Sequence, residues 1–189
     1  GVAAREVEDA VAALERQRLQ VLHDIHLDIL GSRSSHQIAQ ATISHVQSLI
    51  ACRRVSVALL DTMRSFPRCI GVAAPQIDEL VRVVVVDVSE HKKATTSHGL
   101  LVLANPVVVE SSGDELGREG CLSIPDLTAN VRRATQIRVE ALTPDGEITI
   151  DTEGFEARAL LHELDHLDGI LFLDRIASRA DLFARTRYA

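Results

Sequence analysis

The segment His162-Glu163-Leu164-Asp165-His166 constrains the folding of this chain more strongly than any other feature of its sequence. With eight histidines in the chain, the probability that this motif occurs by chance is roughly a few per cent. On a helix, His162 and His166 lie one turn apart on the same side, so both imidazoles can bind one metal ion. Glu163 lies beside them and can accept a proton from a water molecule at such an ion. The pattern therefore predicts a helix from Phe155 to about Leu167 with a metal site along one face.

A third metal ligand is not provided by the residues that follow this motif. No glutamate occurs after Glu163, and Phe172 occupies the position at which one class of proteases has its third histidine. The remaining acidic residues are more simply solvated charges or helix-end residues: Asp168, Asp174 and Asp181. Upstream, Cys121 offers a thiolate, which binds iron or zinc strongly, and a site of two histidines and one cysteine leaves a position for water. A lone cysteine is more often a small buried residue, but beside an incomplete two-histidine site we interpret Cys121 as the third ligand.

Two further segments contain groups suited to contact a substrate. In Glu119-Gly120-Cys121-Leu122-Ser123, Gly120 permits close approach of the backbone, and the Leu122 N–H could face the reacting group. In Gly71-Val72-Ala73-Ala74-Pro75-Gln76, small residues would let the backbone press against a substrate, and Gln76 offers an amide donor for a developing oxyanion. Alone, a stretch such as the second is usually only a loop that leads into a strand.

From about Thr62 the sequence predicts short strands followed by one principal helix. The β-branched run Val83–Val86, within Leu80–Val88, indicates a buried strand. Asn105-Pro106 indicates a turn between two strands, and Pro144-Asp145-Gly146 indicates the turn of a hairpin. The strands predicted around these turns are Leu100–Leu103, Val107–Glu110, Gln136–Leu142 and Glu147–Ile150.

The residues before this region have a different character. From about Val7 to Ile50 the apolar residues recur at helical spacing, interrupted by Gly31-Ser32-Arg33-Ser34-Ser35. With Val55–Leu60 after it, this stretch weakly resembles a signalling helix and the opening of a GAF sensor domain, without ligand-binding residues. We interpret it as a structural appendage or a helix pair that docks a partner, which would allow a homodimer through these helices. The segment Val55–Met63 fits either a helix or a strand.

Composition limits the classes of function. The formal net charge of −7 argues against a surface that coats nucleic acid, although a local basic patch would still permit transient contact with a ribosome. No segment has the apolar length of a membrane span, and the first residues lack the apolar run of a signal peptide. The three cysteines are too few for a disulfide framework: Cys52, Cys69 and Cys121. We therefore expect a cytoplasmic protein.

Taken together, the three motifs resemble the signature segments of peptide deformylases, which remove the formyl group from the N-terminal methionine of new proteins. The resemblance covers the chain from about Thr62 to about Arg175. It implies an α+β fold in which short antiparallel strands pack around a central metal-binding helix. The chain would then divide into a helical N-terminal extension at 1–60 and a deformylase-like metallohydrolase domain at 61–189.

The resemblance also implies a role for individual residues. One ion per chain, usually Fe²⁺ with Zn²⁺ or Ni²⁺ as substitutes, would be bound by Cys121, His162 and His166, with water as the fourth ligand. Glu163 would be the general acid and base, and the oxyanion would be stabilised by Gln76 and the Leu122 N–H. Substrate would be contacted by Gly71, Phe155 and Ala159. The chain departs from the family pattern at Cys69, where an additional glycine is usual, and at Leu161, where glutamine is usual.

Two alternatives to a deformylase are consistent with the same residues. A related metallo-amidase or peptidase would use the same metal centre and cleave unformylated peptides. A catalytically weak, deformylase-like scaffold would bind little metal and would act through its helical N-terminus in signalling or dimerisation. A complete set of one cysteine, two histidines and the adjacent glutamate favours the deformylase, because an inactive scaffold has no need of it.

Overall fold

The structure, a computed structural model, describes residues 53–143, 145–176 and 178–185. The helices predicted between Val7 and Ile50, and the dimer through them, lie outside these residues, as does Cys52. Helix α1 comprises 53–65 and helix α2 comprises Gly154–Leu167. The strands are β1 (Gly71–Ala73), β2 (Val83–Val86), β3 (Leu101–Ser112), β4 (Glu115–Cys121), β5 (Ile124–Arg133), β6 (Gln136–Thr143), β7 (Gly146–Glu153) and β8 (Leu182–Ala184). Short 3₁₀ segments occur at Ala74–Ile77, Phe172–Arg175 and Arg179–Asp181.

The strands form two antiparallel sheets. The larger sheet has the strand order β1-β2-β3-β6-β7, and the smaller sheet has the order β4-β5-β8. Helix α2 packs on the larger sheet, mainly against β1, β2 and β7. The α+β class, with antiparallel strands around a central helix, is therefore confirmed.

The buried run of β2 is explained by helices on both of its faces. Val84 and Val86 pack in one cluster with Leu160 and Leu164 of α2, whereas Val83 and Val85 pack in a second cluster with α1. Because successive strand side chains point to opposite faces, a strand covered on both sides is apolar at every position.

The segment that fitted either a helix or a strand is a helix. Its buried side chains recur at i, i+4 and i+8, which places them on one face against β1 and β2: Val55, Leu59 and Met63. The intervening Val57 is 54% exposed, so the β-branched content of this segment does not reflect a strand.

The prediction of two strands separated by a turn at Asn105-Pro106 is wrong, because β3 continues through this dipeptide. The pairing with β6 shifts between Ala104 and Val107, so that β3 contains an extra residue there. Asn105 adopts a left-handed conformation with φ of 51°. Since proline lacks an N–H, a β-bulge accommodates it within the strand.

The sequence prediction was right for one hairpin and missed another. The hairpin of β6 and β7 is confirmed, with Ile137, Val139 and Ala141 buried as expected. The long β4–β5 hairpin was not predicted, because most of the β4 side chains are exposed and give no apolar alternation. None of the helices in the described ranges is long and apolar enough to cross a membrane.

Candidate active site

The predicted metal ligands meet where α2 faces the end of β4. The Cys121 Sγ lies 3.1 Å from the His166 Nε2. The ligand atoms of Cys121, His162 and His166 all lie within 4.8 Å of one another. All three side chains are buried, so any ion held there is shielded from bulk water. Spacing on one helix turn brings the histidines together, and the antiparallel β4–β5 hairpin delivers the cysteine.

The charge state of this cluster suits a divalent cation. Burial opposes ionisation of Cys121, but hydrogen bonds from His162 and His166 lower the pKa of its thiol to about 5. Since the thiolate is the form that binds metal, Cys121 is in the required state at neutral pH. A sulfur and two imidazole nitrogens form a donor set typical of iron and zinc sites. The residues present therefore fit a transition-metal ion.

Glu163 lies next to this cluster with an unsatisfied carboxylate oxygen. Its Oε2 is buried and has no hydrogen-bond partner among the described residues. Burial raises the pKa of Glu163 to about 7, against the opposing effect of the two histidines. A carboxyl group that exchanges a proton near neutral pH is suited to general acid–base chemistry. The free oxygen is available to a water molecule or to a substrate.

Gln76 and Leu122 lie at the edge of the same cluster. The Gln76 Nε2 donates to the Cys121 Sγ at 3.4 Å and to the Ser123 Oγ at 3.0 Å. Its Oε1 accepts from the Ala73 N–H at 2.9 Å, which fixes the orientation of the amide. Leu122 adjoins Cys121 and lines the same cavity as Gln76. The structure therefore brings both predicted oxyanion donors to the metal-ligand cluster.

A cavity of about 210 Å³ opens onto these groups. The predicted substrate residues Gly71, Phe155 and Ala159 all line it, together with Glu163 and His162. His91 stacks on the Phe155 ring with centroids 4.1 Å apart, which makes a rigid wall at this end of the cavity. His166 does not line the cavity and lies behind Cys121.

The two departures from the family pattern lie close to the site. The Cys69 thiol lines the cavity and donates to the Gly71 carbonyl oxygen at 3.2 Å. Burial raises the pKa of Cys69 to about 11, so this thiol is protonated at neutral pH and differs in state from Cys121. Leu161 packs against the core cluster between α2 and the larger sheet. Neither residue displaces Glu163 or a predicted metal ligand.

The sequence interpretation missed a buried network of charges beneath the site. Glu119 accepts from the His162 Nδ1 at 2.9 Å, bidentately from Arg133, and from Arg158 at 3.0 Å. These contacts outweigh the effect of burial and lower the pKa of Glu119 to about 2. A carboxylate on Nδ1 orients the imidazole and leaves the His162 Nε2 free to bind an ion.

Asp165 extends this network to the other side of α2. It accepts from Arg133 of β5 and from Arg175, whose Nε lies 2.9 Å away. One sequence signal could have located Arg133, because it follows Ala129 and Val131 on the same face of β5, and all three residues are buried. A charged residue in register with a buried face indicates a buried partner.

Comparison with known proteins gives one consistent result. The sequence profile of the family described as polypeptide deformylase matches residues 32–181. A peptide deformylase of Desulfitobacterium hafniense is 47% identical over 118 residues, which are 62% of this chain and 73% of the relative. The matched region contains all of the residues assigned above to the cavity and the metal cluster.

Solved structures show the same similarity. A crystal structure of peptide deformylase from Thermus thermophilus has a TM-score of 0.58 and 39% identity, covering 67% of this chain and 72% of that chain. A class I type b peptide deformylase from Acinetobacter baumannii with Met-Ala-Ser bound has a TM-score of 0.60 and 36% identity. That match covers 66% of this chain and 80% of the other.

Proposed function

Because this chain belongs to the polypeptide deformylase family and is a deformylase, we propose that its reaction takes place at Glu163 and a metal ion held by Cys121, His162 and His166. The reaction removes the formyl group from the N-terminal formylmethionine of a polypeptide and releases formate. The observation that carries the assignment of the site is the buried Glu163 Oε2 near the three ligand atoms, which has no hydrogen-bond partner in the part of the chain that the structure describes.

The family implies a catalytic metal, and we propose Fe²⁺ as the ion, with Zn²⁺ or Ni²⁺ as substitutes. A thiolate with two imidazoles accommodates each of these ions. When bound, such an ion acts as a Lewis acid that makes water a stronger nucleophile near neutral pH. The Glu119 carboxylate supports this role, because it fixes the His162 ring in the orientation in which Nε2 faces the cluster.

Glu163 transfers the proton that the hydrolysis requires. Its carboxylate takes a proton from the water molecule that attacks the formyl carbon. As the C–N bond of the formamide breaks, Glu163 gives this proton to the leaving amine. The Gln76 amide and the Leu122 N–H donate to the formyl oxygen as it gains negative charge. Water is consumed, formate is released, and the polypeptide is left with a free amine on its N-terminal methionine.

The cavity is proposed to hold the methionine side chain. Phe155 and Ala159 provide apolar surface on the first turns of α2, at a distance of one to two turns from His162. Gly71 brings the backbone of β1 to the opposite side. The Acinetobacter relative was solved with Met-Ala-Ser, a tripeptide that begins with methionine, which supports an N-terminal methionine at this position.

The test of this proposal is the Glu163→Ala variant. We expect metal content equal to that of the unaltered chain and loss of nearly all formate release from a formyl-methionyl peptide, by roughly 10²–10⁴-fold, because the proton-transfer group is removed. Protein purified without oxygen and loaded with iron or nickel is suited to the measurement. An active Glu163→Ala variant would contradict the assigned role of Glu163.

A panel of formylated and unformylated peptides, together with the metal content, separates the two alternatives. A metallo-peptidase would cleave unformylated peptides, and a scaffold would bind little metal and release no formate. The relatives named above are deformylases, so neither alternative gains support from them.

Several finer expectations stay predictions. These are the transient contact with a ribosome, the homodimer through the N-terminal helices, the cytoplasmic location and the division of the chain at residue 60. The family match begins at residue 32 and so includes part of the predicted extension.

A further inference from the structure

The rim of the active-site cavity has a charge opposite to that of the whole chain. Apart from the buried Arg158, the cations that line the cavity are exposed or half-buried: Arg68, Lys93, Arg118 and Arg185. The carboxylates that line it, Glu119 and Glu163, are both buried, while the chain has a formal net charge of −7. A cleft lined by charges of one sign focuses the electric field on an approaching ligand. The rim therefore favours an anionic ligand although the molecule as a whole does not.

Arg118 is fixed in place by neutral partners. Its Nε donates to the Asn130 Oδ1 at 3.0 Å, and its Nη1 donates to the Thr128 Oγ1 at 3.1 Å. The guanidinium lies 3.4 Å from the centre of the Phe183 ring. No carboxylate pairs with it in the described part of the chain. A guanidinium that is already ordered and not neutralised loses little entropy when it binds a carboxylate.

Lys93 provides a second cation in the lining of the cavity. Its ammonium lies 5.9 Å from the centre of the Phe155 ring, and His91 stacks on the same ring. Burial and the charge of Lys93 lower the pKa of His91, so His91 adds no charge of its own at neutral pH. The cavity lining thus contains Lys93 beside Phe155, and Arg118 on the strand that carries Cys121.

A peptide substrate must pass this rim. With its formyl end at Glu163, a peptide that advances about 3.3 Å per residue places the residues after methionine along the cavity lining that includes these cations. We propose that the rim selects formylated polypeptides with aspartate or glutamate among the residues that follow the methionine. This inference rests on the proposed function, because the direction of the peptide is set by the formyl group at Glu163.

The experiment compares three substrates on the metal-loaded full-length chain: formyl-Met-Ala-Glu-Glu, formyl-Met-Ala-Gln-Gln and formyl-Met-Ala-Lys-Lys. We expect kcat/KM for formate release to decrease in that order, by about tenfold between the first and the last at low salt. The difference should shrink as ionic strength rises, because exposed charges are screened.

Charge reversal at the rim tests the residues themselves. In the double variant Arg118→Glu with Lys93→Glu, the lysine peptide should become the better substrate. The matched control is Arg132→Glu, since Arg132 is an exposed cation of β5 that pairs with Asp114 at 2.8 Å and does not line the cavity. The control should keep the original order of the three peptides.

The outcomes distinguish this inference from the proposed function. Equal kcat/KM for the three peptides, or an order that the double variant leaves unchanged, would overturn the acidic preference and leave the deformylase assignment intact. Absence of formate from every peptide would overturn the proposed function. In that case, calorimetry with the unformylated products Met-Ala-Glu-Glu and Met-Ala-Lys-Lys still tests the proposed preference of the rim for acidic peptides. Equal affinities for the two products would refute that preference.

Discussion

At the scale of single residues, the position of the Glu163 carboxyl depends on the absence of a side chain at Gly71. A Cβ atom at residue 71 would lie 2.6 Å from the Glu163 Oε1 and 2.9 Å from its Cδ. Atoms do not approach that closely, and Glu163 is only 5% exposed, so it has little room to move aside.

We therefore expect Gly71→Ala to displace the Glu163 carboxyl while leaving the metal ligands in place. A displacement of about 1 Å can reduce turnover by roughly 10²-fold. The measurement is kcat for formate release, together with metal content and thermal midpoint. A variant with full activity would show that Glu163 can perform its role from another position, and a variant that lost its metal would show that the effect is not local.

Glu119 is the second residue whose replacement should have a large effect. It accepts hydrogen bonds from two buried arginines and from His162. Glu119→Gln leaves these cations without their counter-charge, and we expect the free energy of unfolding to decrease by roughly 3 kcal/mol. Metal affinity should weaken by roughly 10–100-fold, because the His162 ring loses its orienting partner.

Urea unfolding and competition with a metal chelator measure these two effects. Asp114→Asn is the matched control, because it removes an exposed carboxylate that pairs with Arg132 at 2.8 Å. Such pairs contribute about 0–1 kcal/mol, so the control should unfold nearly as the unaltered chain does. Equal destabilisation by both variants would refute the structural role assigned to Glu119.

The residues of the proposed site could be predicted from the sequence to the extent that local spacing brings them together. His162, Glu163 and His166 were predicted from their spacing within about one helical turn. Cys121 was predicted because the two histidines needed a third ligand and a thiolate suits iron or zinc. The buried charged side chains that support the site could not be predicted, because in the sequence Arg133, Arg158 and Asp165 look like ordinary solvated surface charges. Only the three-dimensional pairing of β4, β5 and α2 shows that they neutralise one another.

At the scale of elements, the bulge in β3 shows how backbone chemistry overrides a turn signal. Asn105 holds a left-handed φ of 51°, and its N–H donates to the Arg82 carbonyl oxygen at 2.7 Å. Left-handed backbone costs a β-branched residue about 1–2 kcal/mol more than it costs glycine or asparagine.

Asn105→Val should therefore lower the free energy of unfolding by about 1–2 kcal/mol, whereas Asn105→Gly should have a much smaller effect. Chemical denaturation of both variants measures the difference. If valine were tolerated as well as glycine, the bulge would not depend on the conformation of this residue.

Elements with strong periodicity were predictable, and those with weak periodicity were not. The alternating pattern of Ile137, Val139 and Ala141 defined β6, and the β-branched run defined β2. The β4–β5 hairpin lacks such a pattern, because the smaller sheet buries few side chains and relies on charges. The apolar residues of 53–65 fit the spacing of either a helix or a strand, and only their packing against β1 and β2 selects the helix.

The first turn of α2 is connected to its surroundings by Glu156, which gives the fold a dependence on pH. This buried carboxylate accepts from the Thr152 Oγ1 at 2.6 Å and from the His98 N–H at 2.8 Å, and it pairs with the His98 ring. Burial alone would raise the pKa of Glu156, but these contacts lower it.

A carboxylate whose pKa is lower in the folded than in the unfolded chain stabilises the fold fully at pH values above its unfolded-state pKa. This stabilisation is lost as pH falls through the folded-state pKa. We therefore expect the unaltered chain to lose stability below about pH 4, and Glu156→Gln to show less of this loss between pH 7 and pH 3. Urea unfolding at both pH values measures the difference. Identical pH dependence in the two proteins would exclude Glu156 as a contributor.

At the scale of the whole molecule, the two sheets are stabilised by different means. The clusters on the two faces of the larger sheet contain most of the buried apolar residues. Among the described residues, the cluster at the smaller sheet contains four buried apolar residues: Cys121, Ala129, Val131 and Phe172. Because Cys121 is one of the proposed metal ligands, a bound ion would also stabilise the smaller sheet.

Removal of the ion by a chelator should therefore affect the two sheets unequally. We expect amide hydrogen exchange to accelerate in β4, β5 and β8 and to change little in β2, β3 and β6. Exchange followed by mass spectrometry, with and without the ion, makes this comparison. Uniform acceleration across both sheets would instead indicate that the fold opens as a single unit.

The separation of the ligands along the chain has a consequence for how the enzyme matures. Cys121 and His166 are 45 residues apart, and three strands lie between them. The ion-binding cluster cannot form until the intervening hairpin has folded and α2 has docked, since ligands on two separate elements must meet. Because both histidines lie on α2, capture of an ion by the complete ligand set must follow synthesis and docking of that helix, so a bound ion marks a polypeptide in which β4 and α2 have already come together.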